Sequence, residues 1–237
     1  MRIYAVGDVH GRLDLLWALG RKIEDEIEHD RPADWRVVYL GDYVDRGADS
    51  AGVVDFLIEA SGRDDRHIAL RGNHDVAFLD FLAAPDKEGL FVNFGGRETA
   101  ASYGVDLDTG SLAALGASHA ALVSAVPAAH RAFIETLPYS TEIGDYFFCH
   151  AGIRPGVALA DQSPDDLAWI RNDFLRHTKA LPKVIVHGHT PVNQVEPKPN
   201  RINVDTGAYF SGRLSAVALE GTDLRVMTVE GDADWPG

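Results

Sequence analysis

Five separate apolar runs in this 237-residue chain stop in the same way, and that repetition constrains the fold more than any other feature. The runs are IYAVGDVHG (Ile3–Gly11), VVYLGDYVDRG (Val37–Gly47), IALRGNHD (Ile68–Asp75), YFFCHAG (Tyr146–Gly152) and VIVHGHT (Val184–Thr190). Each reads as a short strand that reaches a glycine or histidine and at once presents Asp, Asn or His. In layered α/β folds, sites form in the crevice beyond the carboxyl ends of strands, so five such ends can meet at one place. Glycine lets the backbone turn sharply there, leaving short ligating side chains aimed at a common centre.

Between these runs the pattern alternates with amphipathic stretches. Ile3–Val6 reads as a strand, Leu13–Ile27 as a helix and Val37–Leu40 as a strand. Ser50–Ala60 reads as a helix with Ser50 as N-cap, and Ile68–Leu70 as a third strand. The first half is therefore α/β. From about Val76 to Leu137 the chain changes character, with helical periodicity in Ala77–Leu82, Leu112–Val123 and Pro127–Leu137 and a Gly95-Gly96 break. This section is expected to be a helical cap inserted into a single domain spanning 1–237. Beyond it Tyr146–Cys149, Val184–Val186, Arg201–Val204, Leu214–Leu219 and Leu224–Val229 predict a second sheet of largely antiparallel strands, and Gly231–Gly237 a frayed tail.

Charge removes some partners. Lys and Arg number 22 against 36 Asp and Glu, a net charge of −14. Binding to nucleic-acid polymers depends on cations that neutralise phosphates, so that class is not expected. No run approaches the roughly 18 apolar residues of a membrane span. Leu112–Ala129 comes nearest and is interrupted by Ser118, His119, Ser124 and Pro127. Cys149 is the only cysteine, which excludes an intrachain disulfide and a thiolate-rich zinc site and fits the reducing cytoplasm.

The strand ends offer Asp8, His10, Asp42, Asn73, His150, His187 and His189, a set of oxygen and imidazole donors without thiolate. Such donors suit divalent Mn, Fe or Zn. Seven exceed the needs of one four-coordinate ion, whereas two ions sharing a carboxylate would absorb them. Paired ions about 3.5–4 Å apart activate water and clamp an in-line displacement at phosphorus, so the implied reaction is phosphoester hydrolysis.

GDVHG, GDYVDRG, RGNHD, HAG and HGHT, in this order from Gly7 to Thr190, resemble the calcineurin-like metallophosphoesterases, and more closely their phosphoprotein phosphatase branch. Its bacterial members include serine/threonine phosphatases and symmetrical dinucleoside tetraphosphatases. The resemblance implies a four-layer αββα sandwich, two β-sheets flanked by helices, in which a hydroxide bridging two metals attacks phosphorus directly. It implies Asp8 and His10 on the first metal, Asp42 as bridge, and Asn73, His150 and His189 on the second. His74 would be the general acid, oriented by Asp45, and Arg46 would grip phosphoryl oxygens. Arg171, in DLAWIRNDF, is similar to the family's Trp-x-Arg element and would be a second phosphate ligand. Its bland alternative is a solvated position on an amphipathic helix. Manganese is the metal expected first, with iron or zinc as alternatives.

Two departures stand out. Where wider relatives carry Gly-His-x-His, this chain has Pro191, which narrows the branch; His187, two residues before His189, is read separately as a supporting or structural histidine. Asp75 replaces a frequent glutamate at a supporting position. Arg71 is expected to anchor its loop to a carboxylate. A cysteine phosphatase needs five residues between its cysteine and arginine, and Cys149 and Arg154 have four between them. An inactive scaffold predicts missing ligands, and none is missing. The substrate is either a phosphoprotein or a nucleotide. A dinucleoside polyphosphate groove calls for many cations, and the cap supplies only Lys87, Arg97 and Arg131, so serine/threonine phosphoproteins are preferred.

Overall fold

Alternate residues of single strands enter different cores, and this divides the molecule into layers. The computed structural model describes residues 1–232. In β1 (Arg2–Val6), Tyr4 and Val6 face α1 (Leu13–Asp30), while Ile3 and Ala5 face the other way. In β2 (Trp35–Tyr39), Val37 and Tyr39 join the first group, and Val38, followed by Leu40, the second. The period of two requires both faces of this sheet to be covered. Its outer face is covered by α1 and α2 (Ser50–Arg63), its inner face by a second sheet.

β3 (His67–Ala69) completes a parallel β1–β2–β3 set. The chain then passes through five helices: α3 (Asn73–Ala83), α4 (Leu90–Asn93), α5 (Gly96–Ser102), α6 (Leu112–Ala125) and α7 (Ala128–Thr136). They share a core of their own, built on Phe78, Phe81, Phe91, Leu115, Leu122 and Ile134. α6 and α7 are apolar together but meet at 89°, and among the described residues no single helix is long and apolar enough to cross a membrane.

The second sheet is built from β4 (Ser140–Ile143), β5 (Tyr146–Cys149), β6 (Val184–His187), β7 (Glu196–Lys198) and β8 (Arg201–Asn203), in the order β4-β5-β6-β8-β7. Phe148, Val186 and Ile202 point at the first sheet, whereas Phe147, Cys149 and Ile185 pack against α8 (Pro164–Trp169) and α9 (Asn172–Leu175). A short α10 (Ala208–Ser211) leads to β9 (Arg213–Glu220) and β10 (Asp223–Glu230). The expected αββα sandwich is therefore the observed one: helices, sheet, sheet, helices.

Several expectations need correction. The second sheet is mixed rather than largely antiparallel, since β5, β6 and β8 run parallel and only its edges are antiparallel. Leu214–Leu219 and Leu224–Val229 do not belong to it. They lie in β9 and β10, which extend the first sheet through antiparallel pairing of β9 with β1. The N-cap of α2 is Asp49, whose carboxylate accepts from Gly52 N, and Ser50 is freed to bond the Asp45 amide. Of the expected tail, Gly231 bonds Gly212 O, and everything after Asp232 lies outside the described residues.

Candidate metal centre

The carboxyl ends of β1, β2, β3, β5 and β6 meet, as their sequences predict, and their loops lock onto one another through the backbone. Val9 and His10 donate to Asp42 O, and Gly11 donates to Tyr43 O at 2.9 Å. Gly188 N donates to His150 O at 2.8 Å. Asp75 joins the second and third loops, accepting from the amides of Asp42, Tyr43 and Gly72 at 2.8–2.9 Å. The loops approach so closely that a Cβ on Gly72 would collide with the Asp42 carboxylate, and one on Gly188 with Asp8.

Two sets of three donors converge within 4.8 Å of one another, Asp42 with His10 and His74, and Asp42 with His150 and His189. Asp42 Oδ2 stands 3.5 Å from His10 Nε2 and 3.3 Å from His150 Nε2, so one carboxylate serves both sets. The histidines are aimed by main-chain carbonyls. His10 Nδ1 faces Val44 O at 2.8 Å and His150 Nδ1 faces Leu40 O at 3.0 Å, which fixes the proton on Nδ1 and turns Nε2 inward. Asn73 Oδ1 lies 2.9 Å and His189 Nδ1 3.1 Å from His150 Nε2.

That geometry leaves lone pairs facing lone pairs unless positive charge is present. Burial alone would lower the His150 pKa, but the carboxylates of Asp42 and Asp8 outweigh it and push it up to about 10. Burial also acts to raise Asp42, yet His150, His74 and His10 hold it well below the usual carboxylate range. Asp8 lies well above that range because of burial and the neighbouring Asp205 carboxylate. His10 and His189 are pushed down by burial, to about 3 and about 2, which keeps them neutral, the form that binds a metal. Neutral imidazoles, a shared carboxylate and an unmet need for positive charge among buried acceptors together fit divalent cations.

Not every assigned residue sits where the sequence alone suggests. Asp8 belongs to neither three-donor set; its carboxylate accepts from the His189 amide at 3.0 Å. His74, expected as the acid, lies within the first set. Its Nδ1 is 2.7 Å from Asp45 Oδ2 and its Nε2 is 3.0 Å from Arg46, so it is held between that carboxylate and the guanidinium. Arg171 is not on a helix face. It occupies the break between α8 and α9 and donates from Nε to His189 Nε2 at 2.9 Å. Arg71 anchors its loop to the Glu135 carbonyl rather than to a carboxylate. His187 is buried against Phe174 with its Nδ1 3.1 Å from Gly188 O, away from both sets. Cys149 is buried, its thiol pKa raised by that burial.

Three residues enter the site unannounced. Thr99 of α5 donates to Asp45 Oδ1 at 2.8 Å and accepts from the Asp45 amide, tying α5 to the Asp45 carboxylate. Tyr209 lies under the Arg46 guanidinium at 4.4 Å and edge-on to His10. Asp205, beside Asp8, is raised by burial to about 6. Asp205 had a readable signal, since INVDTG (Ile202–Gly207) is a sixth apolar run ending in Asp and Gly. Thr99 and Tyr209 had none. An apolar cleft of about 340 Å³ between α1 and α2, lined by Trp17, Trp35 and Phe56, shares no residue with this centre.

A family model for calcineurin-like phosphoesterase matches residues 1–224. The chain belongs to that family. This phosphoesterase is a metal-dependent hydrolase of phosphoric esters, and both tetraphosphatases and a protein phosphatase are among the proteins it is similar to. The asymmetrical bis(5'-nucleosyl)-tetraphosphatase PrpE of Anoxybacillus flavithermus is 25% identical over 234 residues, covering 90% of this chain and 88% of that protein. Serine/threonine-protein phosphatase 1 of Salmonella typhimurium is 27% identical over 229 residues, covering 92% of each. A solved structure described provisionally as a diadenosine tetraphosphatase superposes with a TM-score of 0.68 at 22% identity, covering 100% of this chain and 95% of that one.

Proposed function

We propose that this phosphoesterase is a serine/threonine protein phosphatase that uses two divalent ions, manganese first. One observation carries the choice of a phosphomonoester. Arg46 and Arg171 are the arginines that reach the metal-ligand histidines, and the next arginine nearby, Arg154, is held by Asp166 and Asp173. Two guanidinium forks suit a single phosphoryl group. A polyphosphate chain calls for more.

In this reading Asp8, His10 and Asp42 hold one ion, and Asp42, Asn73, His150 and His189 the other. The ions supply Lewis acidity and a nucleophile at neutral pH. Arg46 and Arg171 hold the phosphoryl oxygens through their terminal nitrogens. His74 keeps its Nδ1 proton on Asp45 and delivers a proton from Nε2 to the departing serine or threonine oxygen. We read 1–237 as one catalytic domain with the helical section 76–137 as its cap, and its location as cytoplasmic, in keeping with the single buried Cys149.

The names of the PrpE relatives favour a second reading, hydrolysis of dinucleoside tetraphosphates, in the asymmetrical sense rather than the symmetrical one that the motifs alone suggest. Turnover by metal-stripped protein with added Mn²⁺ separates the two, read as phosphate released from the peptide and as ATP plus AMP formed from the nucleotide. The expected result is a higher kcat/KM for a phosphothreonine peptide than for diadenosine tetraphosphate. A higher value for the nucleotide replaces the first reading with the second, and turnover of neither means that the substrate class is wrong.

A further inference from the structure

Trp169, the last residue of α8, is 41% exposed and forms a wall between two hollows. On one side, a depression of about 380 Å³ is lined by Arg154, Asp166, Arg171 and Asp173, and from it Arg171 reaches His189. On the other, Trp169 closes an apolar pocket of about 240 Å³ with Ala77, Phe81, Leu90 and Phe91 of the cap, and the exposed Asp80 and Asp86 stand at its mouth. A large indole left half in water forgoes hydrophobic stabilisation that a ligand can restore. Because the two hollows share one side chain, a phosphoryl group gripped by Arg171 brings its neighbouring substituent to the pocket.

The lining specifies that substituent. An apolar floor takes an aliphatic or aromatic side chain. Two carboxylates at the mouth repel a further phosphate and attract a base, which disfavours a nucleoside carried on a polyphosphate and favours a basic polypeptide. We propose that this pocket is a specificity subsite for an apolar side chain next to the phosphorylated residue, in peptides that also carry Lys or Arg nearby. The proposal rests on the phosphatase reading above and names its substrate class more narrowly.

The test uses full-length protein with Mn²⁺ and compares p-nitrophenyl phosphate with phosphothreonine peptides that differ only in a flanking Leu, Phe or Gly. The Leu and Phe peptides are expected to exceed the Gly peptide roughly tenfold in kcat/KM, the scale of discrimination an apolar pocket provides. In Trp169→Ala, which removes the wall, and in Ala84→Trp, which narrows the pocket from the end of α3, that ratio falls to about one. Equal kcat/KM for the three peptides in the wild type, with p-nitrophenyl phosphate still hydrolysed, overturns the subsite and leaves the phosphatase reading in place. A preference that survives both substitutions assigns selectivity elsewhere and also overturns it. If neither p-nitrophenyl phosphate nor any peptide is hydrolysed, the phosphatase reading falls and the subsite with it.

Discussion

His10, Asp42, Asp45, Arg46 and His189 hold φ angles of 45–73°, and among the described residues only Arg31 shares that left-handed backbone without being glycine. Each such residue carries strain of about 1–3 kcal/mol, tolerated where the surroundings over-determine it. Here the surroundings are the loop-to-loop hydrogen bonds, with Asp75 at their centre. Replacing Asp75 with Asn exchanges one accepting oxygen for an NH₂ facing a backbone amide. Urea unfolding of the metal-free protein should show a loss of about 1–3 kcal/mol, and an unchanged midpoint would remove Asp75 from this role. The role of His74 is open to a sharper test, because it lies both beside Asp45 and within a three-donor set. His74→Asn should keep its full metal content and slow hydrolysis of alkyl phosphates by about 10²–10⁴-fold, with a smaller loss for p-nitrophenyl phosphate, whose leaving group needs no proton. Asp42→Asn should lose both activity and paired metal. If His74→Asn emptied the site, His74 would be a ligand and the acid would lie elsewhere. The ligand types were readable because Asp and His directly after a strand and a glycine have few structural reasons to recur. Thr99 and Tyr209 were not, because each acts through a partner distant in sequence, Asp45 and Arg46 respectively.

Among the elements, the strands that escape sequence reading are β4 (STEI) and β7 (EPK), and both are sheet edges with one paired side and little apolar content. Pro197 sits in β7, where an edge has no second ladder to donate to. Periodicity identified β9 and β10 as strands but not their sheet, since Ala216, Val217, Ala218 and Leu219 are apolar on both faces and any buried neighbour would serve. What draws them to β1 includes charge as well as pattern. Glu26 of α1 accepts a paired contact from Arg225 of β10 at 2.8 Å, a bond from Tyr4 of β1, and a contact from Arg2. The Arg225 fork, with Tyr4, holds the Glu26 carboxyl below its ordinary range despite partial burial. A depressed carboxylate contributes stability above its unfolded pKa and loses it as pH falls through the folded value. Glu26→Gln should therefore melt below the wild type at about pH 7, and the two curves should converge as pH falls below the ordinary carboxylate range through the folded-state value. A gap that persists in acid would assign the effect to packing of the side chain rather than to its charge.

Across the whole molecule, the centre sits where the first sheet, the second sheet and the cap meet, so charge placed there acts on all three. Asp8, Asp42, Asp75 and Asp205 are buried together, and Asp75 is raised to about 7 by burial and by Asp42. Without a cation the fold must keep protons on groups that would otherwise ionise, which burdens the metal-free state. Cations that bind the native state and not the unfolded chain relieve this by mass action, worth about 2.7 kcal/mol when the free ion is at 100 times its Kd. For a chain of this length each kcal/mol moves the melting temperature by about 2–4 °C. Stripping the protein with a chelator should thus lower its melting temperature by roughly 5–10 °C relative to Mn²⁺-saturated protein, and readdition should restore it. Asp42→Asn should show almost no Mn²⁺-dependent shift, because the oxygen shared by the two donor sets is compromised. His74→Asn should shift as the wild type does, since in this assignment His74 handles a proton and not the metal. A full shift in Asp42→Asn would move the bridge to another carboxylate, with the buried Asp8 and Asp205 as the candidates.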